Sequence, residues 1–287
     1  MDCHLARLST FDHKIISTDI KMLLSRFAIF ACLLTAICFA GNQATAQSTD
    51  KGSANKSTTQ GSVTKTTDDE GFISLLDKSD MSHFRGYKKD KISSAWTVTD
   101  NVLRVDGVKR GDDIMTKKSY QNFDLRFEWK VSEAGNSGVF YHVGLGDSAA
   151  YKTGIEYQVL DNDGHKDGKS KLTSAGSIYA LYPPKAYPKK KVGEWNKARI
   201  VCNGTKIQHY LNDVLVAEAD TSSDDWKKHV AASKFKDWKR FASQSKGHIA
   251  FQDHGDEVWF QKIKIKALPD TPMVKPAAAA GSGSTSH

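Results

Sequence analysis

The chain has 287 residues, of which 39% are hydrophobic, and its formal net charge of +8 is spread along its length. This length suits one large domain or two small ones. The clearest basic cluster, Lys189–Lys191, follows Pro188 in a predicted loop and is accompanied by no nucleic-acid motif, so nucleic acid is not a predicted partner.

The N-terminal 46 residues have the layout of a leader that is removed. Basic residues precede an apolar run from Phe27 to Ala40, and Ala44–Ala46 follows as a small-x-small cleavage site. We predict cleavage after Ala46 and a periplasmic or secreted protein without a membrane span, residues 1–21 being an over-called start ahead of Met22. The apolar run is shorter than the roughly 20 residues of a spanning helix. A lipoprotein signal and an uncleaved anchor are the alternatives.

Two further segments lack the apolar residues needed for a core. Residues 47–70 are rich in Ser, Thr and Lys, and residues 269–287 end in Ala, Gly and Ser, so both are predicted to be disordered. The remaining segment, 71–268, is long enough for one sizeable core. Only one of the four cysteines, Cys202, lies within it, which predicts a buried apolar side chain and no intramolecular disulfide.

Alternating patterns dominate residues 71–268. The stretch from Phe123 to Lys130 alternates apolar and charged residues without a break, which predicts a half-buried strand. The turn pairs Asn203-Gly204 and Asn212-Asp213 predict successive hairpins around a strand at Lys206–Leu211. Further short strands are predicted at Trp96–Val98, Val102–Val105, Gly138–Val143, Ile155–Leu160, Ala198–Cys202, Val214–Ala217, Gly247–Phe251 and Lys262–Lys266.

Helical signals are confined to one region. Asp224 to Phe241 has irregularly spaced apolar residues, which predicts one helix or one or two short helical turns. Many short strands without strand–helix alternation are typical of an all-β sandwich or barrel. We therefore predict an all-β domain.

Three of the predicted strands carry polar side chains on one face. Strand parity puts Glu156 and Gln158 together, on the face opposite Ile155 and Tyr157. Parity likewise groups two further sets, which are Asn136, Gly138, Phe140 and His142, and His248, Ala250, Gln252 and His254. Polar groups beside an aromatic ring suit a sugar site. The alternative is an outer face that simply contacts water.

Metal and cofactor signatures are weak. Asp161-Asn162-Asp163-Gly164 begins like a calcium loop, but its Gly comes too early and the later Glu is missing. Asp253-His254 could contribute to a metal site, although neither an HxH nor an HExxH spacing is present. A requirement for a divalent metal stays open. NAD is not expected, because no dinucleotide fingerprint occurs.

Five segments together carry a family resemblance. In chain order they are Gly71–Asp77, Gly135–Tyr141, Gly154–Asp161, Gly193–Asn196 and Phe251–Gly255. With these segments the chain resembles the 3-keto-disaccharide hydrolase family, also described as 3-keto-glucoside 1,2-lyase/3-keto-2-hydroxy-glucal hydratase domains. The resemblance implies a concanavalin A-like jelly-roll β-sandwich, an exported bacterial protein, and substrates oxidised at C3 by a separate oxidoreductase. His142 stands where the family often has Arg.

The resemblance also implies a reaction. A ketone at C3 makes the C2 proton acidic, so that a carboxylate or imidazole can remove it, after which the C1 substituent leaves and water adds. In this scheme Glu156 is the general base, and His254 and His142 stabilise the enolate or protonate the leaving group. The remaining candidates would bind sugar hydroxyls, namely Asn136, Gln158, Asp161 and Gln252.

Other interpretations of the same residues stay open. A lectin-like carbohydrate-binding module would have the same fold without catalysis, and a structural role would involve no sugar. A two-carboxylate glycosidase is the enzymatic alternative. For that mechanism Glu156 and Asp161 have opposite parity, so they face apart unless the strand ends or bulges between them. Aglycone, linkage and oligomeric state are not determined by the sequence.

Overall fold

A computed structural model describes residues 70–269. The predicted leader, nearly all of the predicted spacer and the tail from residue 270 lie outside the described residues. Within residues 70–269, no helix is long and apolar enough to cross a membrane.

The described segment is built almost entirely from short strands. In chain order they are β1 (Ile73–Ser74), β2 (Phe84–Gly86), β3 (Trp96–Thr99), β4 (Val102–Asp106), β5 (Ile114–Thr116), β6 (Phe123–Val131), β7 (Asn136–Val143), β8 (Ile155–Leu160), β9 (Asn196–Asn203), β10 (Lys206–Leu211), β11 (Val214–Asp220), β12 (His248–Phe251) and β13 (Glu257–Ala267). Helix α1 (Asp224–Ala232) precedes β12, and 3₁₀ turns occupy Ala150–Lys152, Lys166–Lys169 and Lys171–Thr173.

These strands form two antiparallel sheets. The eight-stranded sheet has the order β11-β10-β9-β6-β13-β4-β3, and β1 also pairs with β13. The five-stranded sheet has the order β2-β5-β12-β7-β8. Some neighbours are consecutive in sequence, but β6 and β9, β6 and β13, and β7 and β12 are distant, as in a jelly roll, and the predicted all-β sandwich is confirmed.

Aromatic side chains fill the space between the sheets. Phe127 and Phe260 of the eight-stranded sheet approach Phe251 of the five-stranded sheet with ring centroids 6.1 and 5.0 Å apart. Phe127 also meets Tyr157 of β8 at 5.7 Å. Such edge-to-face pairs contribute about 0.5–1.5 kcal/mol each beyond their buried area. Cys202 is fully buried and free in the same core, as predicted.

A fully buried histidine lies in the core. His209 of β10 lies with Nε2 3.0 Å from the Tyr141 hydroxyl and Nδ1 3.2 Å from the carbonyl oxygens of Gly176 and Ser177. Burial lowers the pKa of His209 to about 4, so the ring is neutral at neutral pH. The carbonyls therefore accept from Nδ1–H, and Nε2 accepts from Tyr141, which joins the two sheets by a hydrogen bond.

Helix α1 covers only the first half of the predicted helical region, Asp224–Phe241. Helix α1 begins after Ser223, whose Oγ accepts a 3.0 Å hydrogen bond from the backbone N of Trp226. The helix ends at Ala232, and the chain continues in turns to Phe241. Three strands were missed, β1, β2 and β5, because segments of two or three residues show no measurable periodicity.

Candidate functional site

The outer face of the five-stranded sheet carries a row of residues from neighbouring strands. Gly138 of β7 pairs with Gln158 of β8, and its carbonyl oxygen accepts a 2.9 Å hydrogen bond from the backbone N of Gln252. Asp113, just before β5, completes the row, since its Oδ1 accepts a 3.1 Å bond from the backbone N of Asp253. Adjacent positions such as Val139 and Tyr157 belong to the core. The row therefore lies on the face away from the core.

Glu156 lies above this row. It is directly opposite Phe140 in the register of β7 and β8, and its side chain extends over Gly138. A Cβ at position 138 would stand 2.9 Å from Glu156 Cδ and closer still to Oε1. A glycine at this position therefore leaves the space that the Glu156 carboxyl group occupies.

Two carboxyl groups of this face have unusual proton affinity. Burial raises the pKa of Glu156 to about 8, and the negative charges of Asp113 and Asp167 add to the increase while Lys234 opposes it. Burial also raises the pKa of Asp113 to about 7. Both groups therefore change protonation state close to neutral pH, a property that is enriched in acid–base active sites.

Side chains from loops outside the sheet lie beside Glu156. The Lys234 ammonium, just after α1, lies 4.2 Å from the centre of the Tyr179 ring. The backbone N of Tyr179 donates a 3.1 Å hydrogen bond to the carbonyl oxygen of Glu156. The Tyr179 hydroxyl is hydrogen-bonded to Asp167, which helps to raise the pKa of that phenol after the larger effect of burial. Two loops and one strand thus meet around Glu156.

Two glutamine side chains in the row have an unsatisfied acceptor. Oε1 of Gln158 and Oε1 of Gln252 are buried without a hydrogen-bond partner among residues 70–269. The Gln158 amide nitrogen donates to the carbonyl oxygen of Thr173 at 3.2 Å, which fixes the side chain. A buried acceptor without a donor costs about 1–3 kcal/mol. Both oxygens are also closed to solvent, so in this conformation they do not line an open surface.

A second polar cluster lies at the start of β7. His165, His254 and Asp256 have ligand-type atoms that all lie within 4.8 Å of one another. Asn136 joins them, because its backbone N donates to Asp256 Oδ2 at 3.2 Å and its Nδ2 lies 3.5 Å from His165 Nε2. The sequence-predicted residues Asn136 and His254 therefore lie together, two residues along β7 from Gly138.

The Asp161 side chain, predicted to bind a sugar hydroxyl, is hydrogen-bonded to the backbone of neighbouring loops. Its Oδ2 accepts a 3.0 Å hydrogen bond from the backbone N of Ala134, and its Oδ1 accepts from the backbone N of Asp163 at 3.1 Å. The residue is buried. Both carboxylate oxygens are thus used to hold the loop after β8 against the turn before β7. The predicted contact of Asp161 with a sugar hydroxyl is not supported by this geometry.

The predicted face of His142 is wrong. A register shift separates the pairs His248–Val143 and Ala250–Phe140, and His142 has a positive φ of 55°. This bulge turns the ring away from the face that holds Phe140, so that it packs 5.7 Å from the Phe123 ring and lies 2.8 Å from the carbonyl oxygen of Gln121. Simple parity fails at a bulge, and His142 does not adjoin Glu156.

Several residues of the site were not predicted from sequence. Asp256 could have been found, because it is two residues after His254 in a polar turn. The others are brought in by loops distant in sequence, so no local pattern marks them. The residues missed are Asp113, His165, Asp167, Tyr179, Lys234 and Asp256.

A groove of about 860 Å³ lies on the other side of the sandwich, on the eight-stranded sheet. Its charged residues are largely paired with one another, as in Lys197–Asp213 at 3.1 Å and Lys262–Glu128 at 2.9 Å. It contains none of the sequence-predicted site residues. The face around Glu156 is therefore the stronger candidate for chemistry.

Solved structures of similar proteins share this fold. A solved structure of a presumed glycosyl hydrolase from Parabacteroides distasonis is 31% identical and superposes with a TM-score of 0.65, covering 70% of this chain and 96% of that one. A second such structure from the same organism is 30% identical with a TM-score of 0.56, covering 69% and 99%.

The sequence comparisons are more specific. A 3-keto-disaccharide hydrolase of Bacteroides thetaiotaomicron is 35% identical over 231 residues, which cover 70% of this chain and 80% of that protein. The family model of the 3-keto-alpha-glucoside-1,2-lyase-like domain matches residues 71–266, which include Glu156, Asp113 and the whole polar face. The chain therefore belongs to the family of 3-keto-alpha-glucoside-1,2-lyase-like domains.

Proposed function

We propose that this protein is a carbohydrate-active hydrolase that cleaves 3-keto-glycosides, with Glu156 as the base that removes the C2 proton. The observation that carries the proposal is the Glu156 carboxyl group, which lies over Gly138 with a pKa raised by burial to about 8. A carboxylate with a raised pKa is a stronger base than an exposed one. The family match and the 3-keto-disaccharide hydrolase relative support the substrate class.

The proposed reaction has two stages. Glu156 takes the proton from C2, the electron pair forms the enolate of the C3 ketone, and the bond from C1 to the aglycone oxygen then breaks with its pair. The aglycone oxygen takes a proton, which leaves a 2-hydroxy-3-keto-glucal. Water then adds across the C1–C2 double bond, with hydroxyl to C1 and a proton to C2, so the net change is hydrolysis.

In this proposal Asp113 supplies the proton to the aglycone oxygen. In the row it lies two strands away from Gly138, at the end opposite Gln158. Its raised pKa of about 7 lets it hold a proton near neutral pH. Strands are about 4.8 Å apart, so Asp113 and Gly138 are separated by about 10 Å, roughly the span of a sugar with its aglycone oxygen. Gln252 lies between these two residues in the row and Gln158 lies beyond Gly138, and both side chains would have to turn their closed Oε1 atoms towards a bound sugar to accept from its hydroxyls.

The C2 proton decides between this mechanism and ordinary glycosidase chemistry. The full-length mature protein is assayed on a 3-keto-glucoside in D₂O, with the unoxidised glucoside as matched control. We expect release of 3-keto-glucose that carries deuterium at C2, beyond the exchange seen when that product is incubated without enzyme, and no release from the control. Product without C2 deuterium, or equal turnover of the unoxidised glucoside, would contradict the proposal.

The non-catalytic alternative makes a different prediction in the same assay. A lectin-like module would bind the 3-keto-glucoside and leave it intact. The raised pKa values of Glu156 and Asp113 favour the enzyme, because sugar binding alone requires no group that titrates near neutrality.

We further propose that the protein is exported. The support is the arrangement of basic residues, apolar run and small-x-small site in residues 22–46, which are outside the described residues. Expression in a Gram-negative host followed by intact-mass measurement should give a chain that starts near Gln47. Recovery of the apolar run Phe27–Ala40 in the purified protein would contradict it.

A further inference from the structure

The cluster at the start of β7 has the composition of a metal site. His165, His254 and Asp256 are all partly buried and present ligand-type atoms within 4.8 Å of one another. His254 Nδ1 lies 3.6 Å from Asp256 Oδ2, and the two imidazole rings have centroids 6.0 Å apart. Ligand atoms around tetrahedral Zn²⁺ are about 3.3 Å apart, so small side-chain rotations would bring the three groups onto one ion.

The backbone holds the three groups on two anchored segments. His254 and Asp256 flank Gly255, whose φ of 98° forms a tight turn between β12 and β13. Asp253 Oδ1 accepts a 2.9 Å hydrogen bond from the backbone N of Gly255 and closes this turn. On the other side, the backbone N of His165 donates a 3.0 Å bond to the carbonyl oxygen of Asp161. Both backbone segments are therefore anchored before any ion arrives.

We propose that His165, His254 and Asp256 bind one divalent transition-metal ion of the kind that prefers imidazole ligands. Two imidazoles and one carboxylate suit such ions better than Mg²⁺ or Ca²⁺, which prefer oxygen ligands. Three protein ligands leave at least one coordination position for water or a substrate oxygen, as in catalytic rather than structural sites.

The surroundings of His165 specify how the ion binds. Nε2 faces Asn136 at 3.5 Å, and Asn136 is itself bonded to Asp256, so Nε2 is the atom that points into the cluster. Nδ1 accepts a 3.1 Å hydrogen bond from the backbone N of Asp167. An ion on Nε2 requires the ring proton on Nδ1, so Nδ1 can no longer accept from the backbone N of Asp167. Nδ1–H would instead donate to the Asp167 carboxylate, whose Oδ1 is 4.0 Å away.

The position of the cluster links the ion to the reaction, and this part rests on the proposed function. Asn136 and Gly138 are two residues apart on β7, which is about 6.6 Å along the strand. An ion held beside Asn136 lies next to the space over Gly138 that Glu156 occupies. There it would carry the negative charge of the enolate oxygen that forms when C2 loses its proton.

Cobalt(II) tests the binding without any substrate. The protein is prepared without a polyhistidine tag, stripped with a chelator and titrated with CoCl₂ while the visible d–d absorption is recorded. We expect one equivalent to bind. His254→Ala, His165→Ala and Asp256→Asn should each weaken binding at least about tenfold, because even the loss of an outer-shell partner costs 10–100-fold.

His83→Ala is the matched control, since His83 is exposed and remote from the cluster in sequence, and it should bind Co²⁺ like the unaltered chain. Circular dichroism without metal checks that each variant is folded, and Asp256→Asn is the mildest of the three changes. No Co²⁺ absorption, or equal affinity in the control and in any folded ligand variant, overturns the proposal. Co²⁺ binding without turnover of a 3-keto-glucoside leaves the metal site standing and rejects the proposed function instead.

Discussion

The carboxyl group of Glu156 occupies the space that a side chain at Gly138 would fill. Glu156 is paired in register with Phe140, but its side chain leans along the sheet to Gly138 on the neighbouring strand. The position of the proposed base is thus set by a residue that contributes no functional group. This relationship makes the site sensitive to changes that add no charge and remove none.

Glu156→Gln should abolish most turnover while the fold remains. The amide has nearly the same shape but cannot accept a proton, and a positioned base contributes about 10²–10⁴-fold to rate. We expect kcat on a 3-keto-glucoside to fall by that factor, with KM and the melting temperature little changed. Glu218→Gln, an exposed position on β11, is the control. Full activity of Glu156→Gln would move the base elsewhere.

Gly138→Ala should reduce kcat with little loss of stability. The φ of Gly138 is not positive, so alanine is allowed there, but its Cβ would displace the end of the Glu156 side chain. A flexible side chain can move aside without unfolding the sheet. If the effect acts through Glu156, the double variant Gly138→Ala/Glu156→Gln will be no slower than Glu156→Gln alone. Additive losses would show an independent role for Gly138.

Lys234→Met should shift the pH dependence upward. The positive charge of Lys234 opposes the increase in the pKa of Glu156, so its removal raises that pKa above about 8. On a 3-keto-glucoside whose aglycone leaves without a proton, only Glu156 has to be in one protonation state, so kcat/KM rises with pH through the pKa of Glu156. The rising limb should therefore move to higher pH, as measured between pH 6 and 10. The exposed neighbour Lys236, changed to Met, should leave the profile unmoved.

Asp113→Asn should shift the same limb in the opposite direction. The negative charge of Asp113 raises the pKa of Glu156, so a neutral amide lowers it and more base is ionised at a given pH. The amide oxygen can still accept from the backbone N of Asp253, which preserves the local fold. If Asp113 protonates the aglycone oxygen, kcat also falls, least for aglycones that leave without a proton. A shift in the same direction as Lys234→Met would contradict the assignment.

His209 makes stability depend on acidity. Its pKa is about 4 in the fold against 6.5 in an unfolded chain, so the unfolded state binds more protons between these values. The contribution of His209 to the free energy of unfolding is therefore complete above pH 6.5 and falls by about 2 kcal/mol between pH 7 and pH 5. Urea unfolding of His209→Gln should show that much less pH dependence than the unaltered chain. His83→Gln should match the unaltered chain.

The sequence predicted most strands because alternation is a local property. Phe123–Lys130 and Ile155–Leu160 could be recognised from their own residues, and parity correctly put Glu156 beside Gln158. The same rule failed for His142, since a bulge adds a residue to one strand and exchanges the faces beyond it. Nothing in the local sequence of β7 marks that bulge.

The partners of Glu156 could not be predicted for a different reason. Asp113 precedes a three-residue strand and follows Gly111-Asp112, so its surroundings resemble an exposed loop. Its burial and its bond to Asp253 arise from a segment 140 residues later in the chain. Lys234 likewise reaches Glu156 from a turn after α1. Such contacts depend on the topology of the sandwich rather than on any short motif.

Enzymatic activity should depend on correct strand register, because the row from Asp113 through Gln252 and Gly138 to Gln158 is aligned only in that register. These four residues come from or adjoin four different strands, and a slip of one residue in any pairing would turn one of them towards the core. A refolded preparation with one slipped strand would keep its β-sheet spectrum and most of its compactness, yet lose the aligned groups. Recovery of turnover after refolding would therefore count correctly registered molecules, which spectra of secondary structure cannot distinguish.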